Sequence, residues 1–355
     1  MLSERLLFNS QAVGADIGPN LFVWGHNGLG RLGLQDGMYR SSPVQLPGVW
    51  GEARFGAHHS SALRADGSLF MWGSNSIGQL GLGDVSIHRS SPTQLPGTWT
   101  KTEFGRDHSG ALRANGSLFA WGANNDGQLG LGDIISRSSP VQISGTWSAV
   151  SFGGLHSSAL RSDGTLWTWG HGNHGRIGHG NSTYLSTPAQ ISGTWIATSF
   201  GEHHSSALRN NGSLWIWGYG GTGSLGLGDA GVHRSSPVQI PGTWKAASLS
   251  QFTSSALRDD GSLFVWGENS NGRLGLGDIV HRSSPTQVPG TWVAVSLGLE
   301  HSSAVRADGS LWMWGSGGSG RLGLGDTVHR SSPTQISGSW SAVSTGNFVS
   351  GGLRF

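Results

Sequence analysis

His59-Ser60-Ser61-Ala62-Leu63-Arg64-Ala65-Asp66-Gly67-Ser68-Leu69-Phe70-Met71-Trp72-Gly73 is the stretch that decides the fold. Two short apolar runs flank an Asp-Gly pair, the signature of a tight β-hairpin. The pair returns as Asn115-Gly116, Asp163-Gly164, Asn211-Gly212, Asp260-Gly261 and Asp308-Gly309. Glycine and the Asx residues are the ones that enter turn conformations at little cost. Downstream come a glycine-punctuated turn, Gly78-Gln79-Leu80-Gly81-Leu82-Gly83-Asp84, and then Ser90 to Leu95 and Gly97 to Phe104, which read as a third and a fourth strand.

Outward from this unit, Trp-Gly pairs at Trp24, Trp72, Trp121, Trp169, Trp217, Trp266 and Trp314 are separated by 48, 49, 48, 48, 49 and 48 residues. One small unit copied along the whole chain means a stacked or radial repeat architecture. Seven copies of four antiparallel strands predict an all-β, seven-bladed β-propeller, in which radial repetition leaves only short protected edges. The small residues of Ser60-Ser61-Ala62 and its copies suggest that this strand is innermost, and the two large rings of each unit, such as Trp72 and Trp99, are expected to fill the wedges between blades. At the ends, Leu21 to Trp24 is a second strand with no first, and Ser350 to Arg354 a first strand with no second. They are predicted to pair and close the ring. The domain reading is a short N-terminal segment over 1–19 and a single propeller over 20–355.

Composition narrows the function. The net charge of +2 is too small for a protein held to nucleic acid by phosphate contacts, and no cysteine is present for a disulfide or thiolate metal site. The run Leu6-Leu7-Phe8 is too short for a signal-peptide core, and no stretch of about 18 apolar residues could cross a bilayer. These features predict a protein without membrane insertion or export by the general secretory route; its location is otherwise open.

The repeat Gly-x-x-His-Ser-x-x-Leu-Arg-x-Asp-Gly-x-Leu-x-x-Trp-Gly, followed by Gly-x-Leu-Gly-Leu-Gly-Asp, resembles the regulator of chromosome condensation repeat over residues 20 to 355. The resemblance implies a seven-bladed propeller closed by its termini, but no single function, because that family includes a guanine-nucleotide exchange factor, ubiquitin-ligase substrate domains, a plant UV-B receptor and a bacterial β-lactamase inhibitor. The near-constant interval leaves no room for the exchange factor's wedge. Photoreception is not supported either: 14 of the 17 tryptophans are the framework pair of each repeat, and only Trp167, Trp215 and Trp312 are additional.

Several recurring polar positions invite chemistry. His59, His108, His156, His204 and His301 stand nine residues after a framework tryptophan, from Trp50 to Trp292, with Thr253 and Val349 in the other two repeats. Propeller symmetry keeps such equivalents apart, so a structural role is favoured over a metal or acid–base ring. Asp36 and Arg40, Asp84 and Arg89, Asp133 and Arg137, Asp229 and Arg234, Asp278 and Arg282, and Asp326 and Arg330 recur together; the fourth repeat loses both members at once, to Asn181 and Leu185. Joint loss predicts a loop-stapling ion pair. An arginine follows the inner hairpin strand in every repeat, Arg64 to Arg354, and reads either as a ring for an acidic partner or as a hydrogen-bond donor to neighbouring backbone. His171, His174 and His179 match no ligand spacing, and neither cofactor nor metal is called for.

What does not repeat is more informative. Before the histidine slot the pairs read Ala57-His58, Arg106-Asp107, Gly154-Leu155, Glu202-His203, Gln251-Phe252, Leu299-Glu300 and Asn347-Phe348. The loop tips, such as Val85-Ser86-Ile87 and Ile134-Ile135, vary as freely. Loops on a rigid scaffold are where recognition usually resides, so His58, Arg106, Asp107, Leu155, Glu202, His203, Phe252, Glu300 and Phe348 are the candidate partner-binding residues at one mouth. The function expected is non-enzymatic: a structural or protein-interaction propeller, a phage virion component such as a tail, fibre or capsid-surface protein, whose partners are other virion proteins or a host surface receptor. The alternatives are a bacterial intracellular protein-binding module and, behind it, a guanine-nucleotide exchange factor or chromatin-type regulator. A consensus-designed propeller would show the same uniformity.

Overall fold

The computed structural model describes residues 18–354. Apart from Gly18 and Pro19, the expected N-terminal segment over 1–19 lies outside these residues, as does Phe355. Strands β1 (Asn20–Gly25) and β2 (Arg40–Val49) are followed by a regular series beginning with β3 (Glu52–Phe55), β4 (His59–Leu63), β5 (Leu69–Gly73) and β6 (Arg89–Leu95). They form seven four-stranded sheets, each antiparallel and each a blade. Blades are numbered here by their Trp-Gly pair, so β3 to β6, with Trp72, form blade 2.

Blade 1 is shared by the two ends of the chain. β1 pairs with the last strand, Val349–Arg354, from Asn20 opposite Arg354 to Gly25 opposite Val349. β2 flanks it outside and Ala342–Thr345 inside, so the ring closes as the sequence predicts.

The Asp-Gly hairpins form with a division of labour. Gly67 alone takes the left-handed conformation, with φ +81°, while Asp66 Oδ1 accepts the Ser68 backbone N–H. The aspartate therefore acts as an Asx acceptor. On the outermost strands a proline, Pro92 in blade 2, coincides with a register break between Met71 and Gly73 of the neighbouring strand. A missing N–H is tolerated there because the strand is an edge.

One expectation is corrected. The innermost strand is the short one at the Phe end, β3 and its counterparts Lys101–Phe104, Ala149–Phe152 and onward. These line a central channel of about 290 Å³ with Arg54, Glu103, Ser151, Ser199, Ser248, Ser296 and Ser344. The segment from Gly97 to Phe104 thus crosses from one blade to the start of the next. β4 is second from the axis, and all five of its residues are buried, since neighbouring blades cover both its faces. Burial on two sides selects the same small residues as crowding at an axis, which is why the sequence did not separate them.

The wedges between blades hold the core as expected. Trp99 from the connector leaving blade 2 lies 6.2 Å from Trp121 of blade 3, in a cluster with Leu63, Leu69, Met71, Leu80, Leu95 and Ala111. Each Trp-Gly tryptophan also lies over a glycine of the preceding blade. At Gly130, with φ +71°, a Cβ would meet Trp169 Nε1 at 2.7 Å, so the turn must leave that space open.

Candidate functional site

A repeated polar node locks each seam. Seven serines, Ser60, Ser109, Ser157, Ser205, Ser254, Ser302 and Ser350, donate Oγ–H to a backbone carbonyl of the preceding blade. The same carbonyl accepts the indole N–H of the Trp-Gly tryptophan in the serine's own blade. Five histidines then reach forward: Nε2 of His59, His108, His156, His204 and His301 meets the serine Oγ of the next blade at 2.7–3.0 Å. Because the hydroxyl proton is already given to the carbonyl, the imidazole must donate from Nε2, and Nδ1 carries the lone pair. Nδ1 is buried without a partner in all five. Burial holds these rings neutral, pushing His59, His108 and His204 down to about 3. The histidine ring is therefore mortar between blades.

The other recurring groups are structural as well. All six Asp–Arg pairs form, from Arg40 with Asp36 to Arg330 with Asp326. The arginines following β4 and its counterparts stack on aromatic rings, a contact the sequence reading did not foresee. Each guanidinium lies 4.2–5.3 Å from two aromatic ring centres, as Arg64 does over Trp50 and Phe70. Cation–π stacking takes the place of backbone hydrogen bonding. Trp167, Trp215 and Trp312 supply three of these rings. His171 bonds Tyr184, His179 bonds Thr168, and His174 lies against His233; among the described residues no group of three or more His, Cys, Asp or Glu is placed to hold a metal ion.

The variable pairs sit together at one mouth. Each occupies the tip of the turn joining the innermost strand to the second strand, closed by bonds such as Gly56 N–H to the His59 carbonyl. The carbonyl of the second variable residue, from His58 to Phe348, accepts the N–H of the residue after each Trp-Gly pair in all seven blades. Only main chain is used for this anchorage, so the side chains are free to differ.

Those side chains gather into three groups. Arg106 stands 3.5 Å from Asp107 and 3.7 Å from Glu202, reaching past blade 4 because Gly154 leaves room: a Cβ there would lie 2.4 Å from Glu202 Cγ. Burial raises the Glu202 carboxyl against the opposing pull of Arg106 and Arg176. Next, His203 stacks on Phe252 at 5.2 Å, with Tyr219 beside both; burial first, then Arg176, lowers His203 to about 4. Across the mouth, Phe348 stacks with His58 at 6.2 Å between the guanidiniums of Arg31 and Arg321. Glu300 pairs with Arg321 at 2.9 Å. Leu155 is half-buried and joins none of these groups through a ring or charge contact.

Sequence reasoning missed Arg31, Arg176, Arg273 and Arg321. They occupy one slot of the glycine-rich turn, which reads Arg31, Gln79, Gln128, Arg176, Ser224, Arg273 and Arg321 around the ring. The alternation was the available signal, hidden inside a motif that reads as turn chemistry.

Five segments, residues 66–112, 115–160, 163–208, 260–305 and 308–353, match the family described as Regulator of chromosome condensation (RCC1) repeat, and 99–128 and 147–176 match a second form of the same repeat. The chain belongs to the RCC1 repeat family. Among solved structures, human WBSCR16 is 22% identical, with a TM-score of 0.85 over 95% of this chain and 99% of that one. Prp20p from Saccharomyces cerevisiae, described with its binding properties to Gsp1p and histones, is 21% identical, with a TM-score of 0.84 over 95% of this chain and 92% of that one. Yeast RCC1 (Prp20) bound to Kap60 gives 21%, 0.85, 99% and 96%. These similarities are of fold. No curated protein matches the sequence.

Proposed function

We propose that this RCC1-repeat propeller is a non-enzymatic protein-interaction module that docks its partner on the mouth carrying the variable turns. One observation carries the reading. Fourteen large hydrophobic side chains are exposed among the described residues, and all but Val293 lie in the loops following the Trp-Gly pairs, on the same side as the variable turns. Ile134, Ile135, Met38, Val280 and Ile279 are each more than half exposed. Apolar surface concentrated on one face of a folded body marks an interaction site, and here it surrounds the aromatic and charged groups of the mouth. The opposite face presents the polar Asp-Gly hairpins.

The setting we favour is a virion surface or tail component with protein partners, supported by the uniformity of the repeats. A bacterial protein-binding module is the alternative. Because the chain has no cysteine, single cysteines can be placed at Ile135 or Val328 on one face and at Asp163 or Asp308 on the other, each carrying a photo-crosslinker. Defined adducts from the first pair in native material are expected; adducts confined to the second pair would overturn the docking face. Mass spectrometry of purified particles tests the setting, and accelerated nucleotide release from a small GTPase by the purified chain would replace this reading with an exchange-factor one.

A further inference from the structure

Four arginines share the turn slot at the mouth, and three of them have an acid at hand. Arg321 pairs with Glu300 at 2.9 Å and Arg273 with Glu268 at 3.4 Å. Arg176 bonds the Glu202 carbonyl and lies in the field of the Glu202 and Asp126 carboxylates. Arg31 differs. It is 5% exposed, and its Nε donates to the Gly28 carbonyl, but among the described residues it makes no ion pair and its Nη groups have no hydrogen-bond partner. Neither Nη is among the sealed polar atoms. The next blade meets Arg31 with Ala57 and His58, where it meets Arg176 with Glu202.

A nearly buried guanidinium without a carboxylate is costly unless something else supplies the charge. Phe348 compensates in part: Arg31 lies 5.5 Å from its ring centre. Around Phe348 stand Arg321 on the same ring, its charge met by Glu300, His58 stacked against the ring and within the field of Asp107, and His26 nearby, bonded to Tyr39; none of these acids pairs with Arg31. Burial, then Arg31, holds both imidazoles below their ordinary range. One guanidinium fork with an aromatic wall matches the planar, single charge of a carboxylate.

We infer that the Arg31–Phe348 patch is the receptor for an aspartate or glutamate side chain of a protein partner, presented next to an apolar residue that meets the exposed tips Met38 and Tyr39. The inference rests on the proposal that this mouth is the docking face, and it adds the chemistry of the ligand.

The test uses random dodecapeptides displayed on phage and selected on the whole chain, followed by calorimetry with one selected peptide and its Asp/Glu-to-Asn/Gln counterpart. Peptides selected on the unaltered chain are expected to carry a carboxylate at a fixed position. Amidation of that carboxylate should weaken binding about tenfold or more, since an unmet buried charge is restored. Two substitutions the fold already tolerates at equivalent positions, Arg31→Gln as at Gln79 and Phe348→Leu as at Leu155, should each abolish the discrimination while leaving the melting temperature in place. Peptides without a fixed carboxylate, or discrimination that survives Arg31→Gln, would overturn the inference. If such peptides still lose affinity on Phe252→Ala or Ile135→Asp, the docking face stands without it; if no mouth variant affects them, the docking face falls too.

Discussion

Acidification should loosen the seams between blades, and the size of the effect follows from the histidine nodes. His59, His108 and His204 have an ordinary value of 6.5 and are held at about 3 in the folded protein, because the added proton would sit on a buried Nδ1 with no acceptor. A folded value below the unfolded one means that the unfolded chain binds more protons between those limits. Stability from this source is present above pH 6.5 and is lost as pH falls through the window from 6.5 toward 3. Between pH 7 and pH 5 the loss per histidine is about 2 kcal/mol, or about 6 kcal/mol for the three. Guanidinium unfolding followed by tryptophan fluorescence at both pH values reads this as a drop in midpoint. The triple variant His59→Thr, His108→Thr, His204→Thr, using the residue that blade 6 carries as Thr253, should be less stable at pH 7 and much flatter with pH. A midpoint that does not move between pH 7 and 5, or a variant as pH-sensitive as the parent, would refute the assignment of neutral Nε2–H donors.

Further outcomes follow from the same geometry. Ser157→Ala strands the His108 Nε2–H and should cost about 1–3 kcal/mol, whereas Ser302→Ala, which receives no histidine, should cost less; equal losses in thermal melts would contradict the node. Deleting Val349 to Phe355 removes the strand between β1 and Ala342–Thr345 and should abolish the cooperative melt, so an unchanged melting temperature would disprove closure through that strand. Asp278→Asn breaks one half-exposed loop pair and should change stability by only about 0–1 kcal/mol, a limit that denaturant titration can check.

Sequence period made the blades, their number and their closure legible, since the Trp-Gly ruler and the Asp-Gly hairpins are local signals. The Asp–Arg staples were legible for another reason: Asn181 and Leu185 lose both partners together, which only a pairing explains. Assignment of the innermost strand failed because Ser60, Ser61 and Ala62 are small for the sake of the seams on both sides of β4. At the mouth the sequence exposed the variable residues but not their grouping. Arg106 meets Glu202 across an intervening blade, a contact that depends on Gly154 and not on any spacing along the chain. Nor could sequence place Arg31 of the glycine-rich turn beside Phe348, because that contact brings two ends of the chain together.

The nodes also make the ring uneven. Thr253 leaves the seam between blades 6 and 7 without its imidazole strut, and Val349 does the same between blades 1 and 2. The second seam retains a backbone bond near the axis, from Asn347 N–H to the Gly56 carbonyl, of the kind also joining blades 3 to 4, 4 to 5 and 5 to 6. The first has no such bond among those of the described residues. A closed band under thermal load parts at its least fastened joint, so amide protons along Ala246–Leu249 and Ala294–Leu297 should exchange ahead of those in the other inner strands, and this joint is the natural place to cut and re-ligate the chain into a circular permutant.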